Sequence, residues 1–380
     1  MRIGIEAQRL LRPHKHGMDI VAVETIRALA EYPQHEFLVF ARPDTDRTGL
    51  PAAPNIQIIE LPGGAYPVWE QFTLPKAVKS YQPDLLHCTA NTAPLRVSAP
   101  LVITLHDIIF LEKAIVGGNW YQRLGNGYRR WNVPAVVKKA DCIVTVSDYE
   151  RHRIIDHLRL PAERVVTVHN AVSRQFRVIT DAATLAQVRE RFRLPAEFIF
   201  FLGNTDPKKN VVGVLKALLQ LKNQGLLTLP LVMANVSAEY VNGLLDQIGG
   251  RALTNDILLC GYIPNTLLPV VYNAASVFLC PSLRESFGLP ILESMACGTP
   301  VLTASTSAMP EVAGDAALLA NPASPDEMAH QLHRLLSSAE LRAQLRERGL
   351  ERANAFSWQH TARQLMAVYQ QHVGQPVPSL

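Results

Sequence analysis

The chain has 380 residues, 48% hydrophobic and 18% charged, the balance of a soluble globular protein too long for one ordinary core. A net charge of +4 is too small for bulk nucleic-acid binding. No stretch approaches the roughly 18 uninterrupted apolar residues of a membrane-spanning helix.

The start, MRIGIEAQRLL, reads as a strand and not as a signal peptide, so a cytoplasmic location is expected. Further strands follow at EFLVFA, IQIIEL, DLLHC, LVITLHD, CIVTVS and RVVTVHN, with helical patterns such as Asp19–Glu31 and Asp148–Leu158 between several of them. Runs rich in Val, Ile and Leu suit a parallel sheet covered by helices on both faces. After Asn170 the pattern restarts with a polar connector, a helix near Thr184–Phe192 and a second strand series. That series reads FIFFLG, LPLVMA, DILLCGY, SVFLCPS, TPVLTA and AALLA. The expected class is α/β, with Rossmann-like domains at 1–172 and 173–356 facing a central cleft. A last helix, within 357–380, is expected to cross back to the first domain. Cys88, Cys142, Cys260, Cys280 and Cys297 are scattered, with no CxxC or His-Cys cluster, and read as core residues and not as zinc ligands.

The chemistry concentrates in SLRESFGLPILESMACGTPV, from Ser282 to Val301. SVFLCPS is a strand, RESFG a tight loop and LPILESMACG a helix, with Pro290 suited to a first helical position and Gly298 to the residue past the end. The helix start is expected to present free amides from Gly288 to Ile291 and a positive dipole end, an anion site best suited to phosphate. Gly288 lets a phosphate come close to the backbone. Glu285 precedes those amides and Glu293 follows about one turn later. Carboxylates flanking a phosphate site make sense as acceptors for hydroxyls, a sugar on one side and a ribose on the other. In an isolated E-x7-E, Glu293 would instead serve the helix dipole and Glu285 would be a surface residue.

This stretch resembles the signature of the retaining glycosyltransferases of family 4, which have the GT-B fold, and the similarity extends over nearly the whole chain. The resemblance implies that Glu285 contacts the transferred sugar and Glu293 the ribose diol, with the amides of Phe287, Gly288 and Leu289 on the diphosphate and sugar. FLGNTDPKKN is similar to the family segment that carries a lysine on the donor diphosphate, which puts Lys209 there. Where many relatives have an arginine this chain has Asn204, and Lys208 is the candidate replacement. Gly261 and Tyr262 end the strand where the family's nucleotide base usually packs.

In the first half, LVITLHD ends a strand at His106-Asp107, and the family has a donor-sugar histidine at that place. Gly17 in HKHGMDIV matches the family's glycine-rich turn, reduced here to one glycine. Asp44-Thr45-Asp46 is a DxD in a polar loop of the wrong architecture for a metal site, so no metal or other cofactor is expected. Between Asn119 and Ala140, Arg123, Arg129, Arg130, Lys138 and Lys139 mix with Trp120, Tyr121, Tyr128 and Trp131 and no acidic residue. That mixture suits anionic headgroups at the cytoplasmic face of the inner membrane or a lipid-diphosphate acceptor, and equally an ordinary helix with a basic solvent face.

The whole pattern, including HGMDIV, WEQFTLP and LHD, resembles bacterial enzymes of surface polysaccharide synthesis, often mannosyltransferases. It implies transfer of mannose from GDP-mannose to a lipid-linked glycan of O-antigen type. The rival readings are a GT-B nucleotide-sugar epimerase and a catalytically silent nucleotide-sugar-binding subunit. A nicotinamide oxidoreductase is disfavoured because no GxGxxG follows any expected strand.

Overall fold

The computed structural model describes residues 1–13, 15, 17–47, 49, 52–112 and 120–373, with backbone alone for 120–123. The chain divides into two compact units, one of Met1–Asn170 with the segment from Trp358, the other of Ala171–Ser357.

The first unit is built on β1 (Arg2–Glu6), β2 (Glu36–Ala41), β3 (Ile56–Glu60), β4 (Leu85–Cys88), β5 (Leu101–Thr104), β6 (Cys142–Thr145) and β7 (Val165–Thr167). Their order across the sheet is β3-β2-β1-β4-β5-β6-β7, and every pairing is parallel. The second unit holds β8 (Ile199–Leu202), β9 (Leu231–Ala234), β10 (Ile257–Gly261), β11 (Val277–Cys280), β12 (Val301–Ala304) and β13 (Leu318–Ala320). Their order is β10-β9-β8-β11-β12-β13, again all parallel. β4, β5, β6, β9, β11 and β12 are buried along their whole length, which is why they read as unbroken apolar runs. Each sheet reverses its strand order once, between β1 and β4 and between β8 and β11. Loops leaving the carboxyl ends at such a reversal diverge and leave room for a ligand.

The helix Trp358–His372 returns to the first unit, as expected. Its Tyr369 hydroxyl lies 2.7 Å from His87 Nδ1, and Thr361 Oγ1 donates to the His169 carbonyl at 2.8 Å. Gln359 reaches Glu31, at the end of the segment that follows helix Gly17–Leu29, at 3.0 Å.

Two local differences matter. LVITLHD was expected to stay a strand to His106-Asp107, but β5 stops at Thr104. Leu105 N–H still bonds across to the Val144 carbonyl, whereas His106 N–H turns to Asn91 Oδ1 at 2.6 Å. A side chain captures the ladder's next donor, and the strand ends there. WEQFTLP forms a π-helical turn, Trp69–Thr73, running into helix Leu74–Tyr81. Trp69 is fully buried and donates from Nε1 to the Leu61 carbonyl at 2.8 Å. All five cysteines are free, four of them buried and Cys260 half-buried.

Candidate functional site

At the strand-order reversal of the second unit, two loops meet. After β8, a short 3-10 turn, Pro207–Lys209, is capped by Asp206, whose side chain accepts from Lys208 N–H at 3.1 Å. Asn210, at φ +59°, pins this turn by donating from Nδ2 to the carbonyls of Pro281 (3.0 Å) and Pro322 (2.7 Å). After β11, Leu283 N–H donates to the Lys208 carbonyl at 2.7 Å. The two loops are thereby locked, and Lys209 Nζ stands 2.6 Å from Glu285 Oε1.

Glu285 is held from several sides. Ser282 Oγ donates to the same Oε1 at 2.9 Å. Ser307, at φ +61°, accepts from Glu285 N–H at 3.1 Å and donates to its carbonyl at 2.6 Å. Buried Arg284 reaches both Ser307 Oγ (3.1 Å) and the Glu285 carbonyl (3.3 Å). Burial alone would raise the Glu285 pKa, but the adjacent Lys209 ammonium overrides it and holds the carboxyl below its ordinary range. Burial likewise opposes the charge on Lys209, and Glu285 more than restores it. The pair is fully ionised, and Glu285 Oε2 meets no donor among the described residues.

The helix after this loop is Leu289–Ala296, with Gly288 at its start at φ +101° and Gly298 past its end at φ +75°. The expectation of free amides from Gly288 to Ile291 needs correction. Pro290 has no N–H, and Ile291 N–H turns back to the Gly288 carbonyl at 3.0 Å. Gly288 and Leu289 keep N–H groups that meet no acceptor among the described residues. The Phe287 side chain is buried against Phe356, with ring centroids 5.8 Å apart. Glu293 accepts from the Tyr272 hydroxyl at 3.3 Å. Burial pushes its pKa up to about 7, against the weaker pull of Tyr272 and Lys209.

In the first unit, His106 is buried at the end of β5. Its Nε2 lies 2.9 Å from the Thr89 carbonyl, which can only accept, so Nε2 carries the proton and Nδ1 is the acceptor. Burial lowers the imidazole pKa, so the neutral ring is favoured.

Comparison with known proteins gives a family match for each unit. Residues 16–176 match the family model "Glycosyltransferase Family 4", and residues 186–352 match "Glycosyl transferases group 1". The O-antigen chain mannosyltransferase B of Escherichia coli is 30% identical over 295 residues, covering 77% of this chain and 76% of that protein. The chain is a family 4 glycosyltransferase. Solved structures share the GT-B fold. Sucrose-phosphate synthase from Thermosynechococcus elongatus aligns with a TM-score of 0.73 at 20% identity, covering 97% of this chain and 98% of that one. Anabaena Alr3699/HepE in complex with UDP and glucose gives 0.73 at 18% identity, covering 98% and 100%.

Other residues singled out in this glycosyltransferase's sequence are placed as follows. Lys208 is half-buried and pairs with Asp206 at 3.5 Å, while Asn204, at the family's arginine position, accepts from Asp206 N–H at 2.9 Å and shapes the turn. Gly17 is the first residue of helix Gly17–Leu29; nothing lies within 4 Å of where a Cβ would stand, and its φ is not left-handed. The backbone there does not require glycine. His14 and His16 beside it lie outside the described residues. Gly261, at φ +69°, ends β10, and Tyr262 beyond it is 67% exposed. Asp44 bonds the neighbouring Thr45 N–H at 2.8 Å, and Asp46 pairs with Lys15. Asn119 and the side chains of Trp120, Tyr121 and Arg123 lie outside the described residues. Within helix Trp120–Val136, Leu124 and Trp131 are exposed, but Tyr128 turns inward to Glu70, and Arg130 Nε donates to the Phe110 carbonyl at 2.6 Å. Among the described residues no helix is long and apolar enough to cross a membrane.

Sequence reasoning missed Ser282, Arg284, Ser307 and Tyr272. Each acts through a contact with Glu285 or Glu293 that no local motif announces, and all four lie outside the E-x7-E span itself.

Proposed function

We propose that this glycosyltransferase moves mannose from GDP-mannose to a lipid-linked glycan, with retention at the anomeric carbon and without a metal. The observation that carries this reading is the ionised Lys209–Glu285 pair beside the Gly288 and Leu289 amides, with Glu293 one turn along the same helix. Lys209, Lys208 and those amides take the charge that grows on the diphosphate as it departs. Glu285, kept anionic by Lys209, faces the sugar with Oε2 and offsets the positive charge of an oxocarbenium-like state. Glu293 accepts from the ribose diol, and the base packs near Gly261 and Tyr262. His106 orients the sugar through its Nδ1 acceptor, and the Gly17 amide approaches the diphosphate. The acceptor hydroxyl attacks from the face the diphosphate leaves and passes its proton to the departing phosphate, so no separate general base is demanded.

The choice of mannose and an O-antigen acceptor leans on the E. coli relative, an O-antigen chain mannosyltransferase by name. A nucleotide sugar as donor is also in keeping with the Anabaena structure, whose ligands are UDP and glucose. Exposed Leu124 and Trp131, seven positions apart on one helix near exposed Lys138 and Lys139, support a peripheral contact with the cytoplasmic face of the inner membrane. The experiment is a panel of sugar nucleotides tested for protection against thermal unfolding. GDP-mannose should protect most. Equal protection by every nucleotide sugar, without turnover of any, would favour a silent binder.

A further inference from the structure

One buried carboxylate of the first unit takes no part in the steps above. Glu70 lies in the π-helical turn Trp69–Thr73 and is fully shielded from solvent. Its Oε1 accepts from Tyr66 Oη at 2.5 Å and Thr92 Oγ1 at 2.6 Å. Its Oε2 accepts from Tyr128 Oη and, at 3.2 Å, from Gln71 Nε2. Four donors fill the acceptor capacity of a carboxylate, so Glu70 is committed to its neighbours and does not touch substrate.

What it holds is the segment 89–95. Thr92 bonds Glu70 directly, and the adjacent Gln71 brackets the segment further on, donating to the Ala93 carbonyl at 3.1 Å and accepting from Leu95 N–H at 3.0 Å. At the other end, Thr89 N–H donates to Glu6 Oε2 at 3.3 Å, and Thr89 Oγ1 donates to the Glu6 carbonyl at 2.8 Å. Between these anchors sits Asn91, at φ +65°, whose Oδ1 accepts from His106 N–H. The Thr89 carbonyl accepts from His106 Nε2. One segment thus supplies a partner for the backbone and a partner for the ring of His106.

We propose that Glu70 is a positioning residue for His106: by clamping Thr92 it fixes the 89–95 segment, and the segment fixes the ring orientation and the Nε2–H tautomer. The proposal rests on the reading of His106 as a donor-sugar contact. Glu70 acts at a distance, through two side chains and a backbone carbonyl, and its removal leaves the nucleotide-binding loops of the second unit untouched.

The test compares wild type, Glu70→Gln, Thr92→Val, His106→Ala and the double variant Glu70→Gln/His106→Ala, all as the full chain. GDP-mannose hydrolysis gives kcat, calorimetry gives GDP affinity, and imidazole nitrogen NMR gives the His106 tautomer. Thr92→Val keeps the carboxylate and removes its link to the segment, along with the 2.7 Å Thr92–Tyr66 hydroxyl contact, and it covers the case in which Glu70→Gln does not fold. Both single clamp variants should lower kcat by about tenfold or more, in line with misplacement of a reacting contact, and leave GDP affinity as in wild type. Each should also turn a locked Nε2–H ring into a tautomer mixture. The double variant should be no slower than His106→Ala alone. An unchanged His106 ring spectrum in both clamp variants would overturn the proposal, as would losses that multiply independently in the double variant. If His106→Ala itself turned over like wild type, the reading of His106 would fail, and the ring spectrum alone would decide the clamp.

Discussion

Lys209 Nζ lies 2.6 Å from Glu285 Oε1, and both side chains are more than four-fifths shielded from water. Such a pair is costly to break from one side, because the remaining charge stays half-desolvated without a partner. Lys209→Met should therefore destabilise the fold by up to about 3–5 kcal/mol, the range for a buried pair that loses one member. Adding Glu285→Gln to Lys209→Met should recover part of that loss. Chemical denaturation of the two single variants and the double variant measures it; simple additivity would mean the pair is not coupled.

Glu293 gives a pH signature. With its pKa pushed up to about 7 by burial, the free protein loses the carboxylate as pH falls through neutrality. A protonated carboxyl turns one of its oxygens into a donor and gives up the charge-assisted bonds that a carboxylate makes to a diol. GDP affinity should then weaken below about pH 7 in wild type. In Glu293→Ala that step should vanish, with affinity lower by roughly 1.5–3 kcal/mol above about pH 7 and closer to wild type below it. Calorimetry across that range, with unchanged affinity in a folded variant, would take Glu293 out of the site.

Glu6 makes a stability prediction with a definite sign. Burial first, and Glu70 second, raise its pKa from 4.5 to about 7. The folded state then holds a proton that the unfolded chain has already released between those values, so stability falls as pH rises through the window. The swing is on the order of 3 kcal/mol, from the pKa difference alone. Denaturation of wild type should show that decline, and Glu6→Gln should reduce it, leaving the part that the like shift of Glu293 contributes. A wild-type profile that rises over the same window would contradict the assignment.

Asp44 and Asp46 test the metal question. Turnover should survive excess EDTA, and the double change Asp44→Ala, Asp46→Ala should leave kcat near wild type. Lys15 and Asp46 are only 12% and 19% exposed, so losing their pair should cost stability, up to about 3–5 kcal/mol, without lowering turnover of the folded variant. Activity lost on chelation and restored by manganese would reverse this conclusion.

Much of this arrangement was legible in the chain, for a physical reason. Apolar runs buried on both faces announce parallel strands, and Pro290 and Gly298 punctuate the helix that carries Glu293. These are local signals. The contacts that tune the site are not local. Ser307 clamps Glu285 from 22 positions away, and Tyr128 reaches Glu70 across 58. The early end of β5 has the same origin, since Asn91 competes for an N–H that the strand pattern assigns to the sheet. The amide count at the helix start was misjudged because Pro290, read for its fixed φ, also lacks a donor. Gly17 was matched to the family's glycine-rich turn, and in the structure it opens a helix at an ordinary φ.

The most direct measurement follows the first sugar released when the enzyme slowly hydrolyses GDP-mannose, whose anomeric bond is α. Proton NMR separates the anomers before they equilibrate. The account predicts GDP and α-mannose first, with Glu285→Gln slowing their release far more than it weakens GDP binding. Release of β-mannose first would contradict retention, and wild-type turnover by Glu285→Gln would contradict the placement of Glu285 at the reacting carbon.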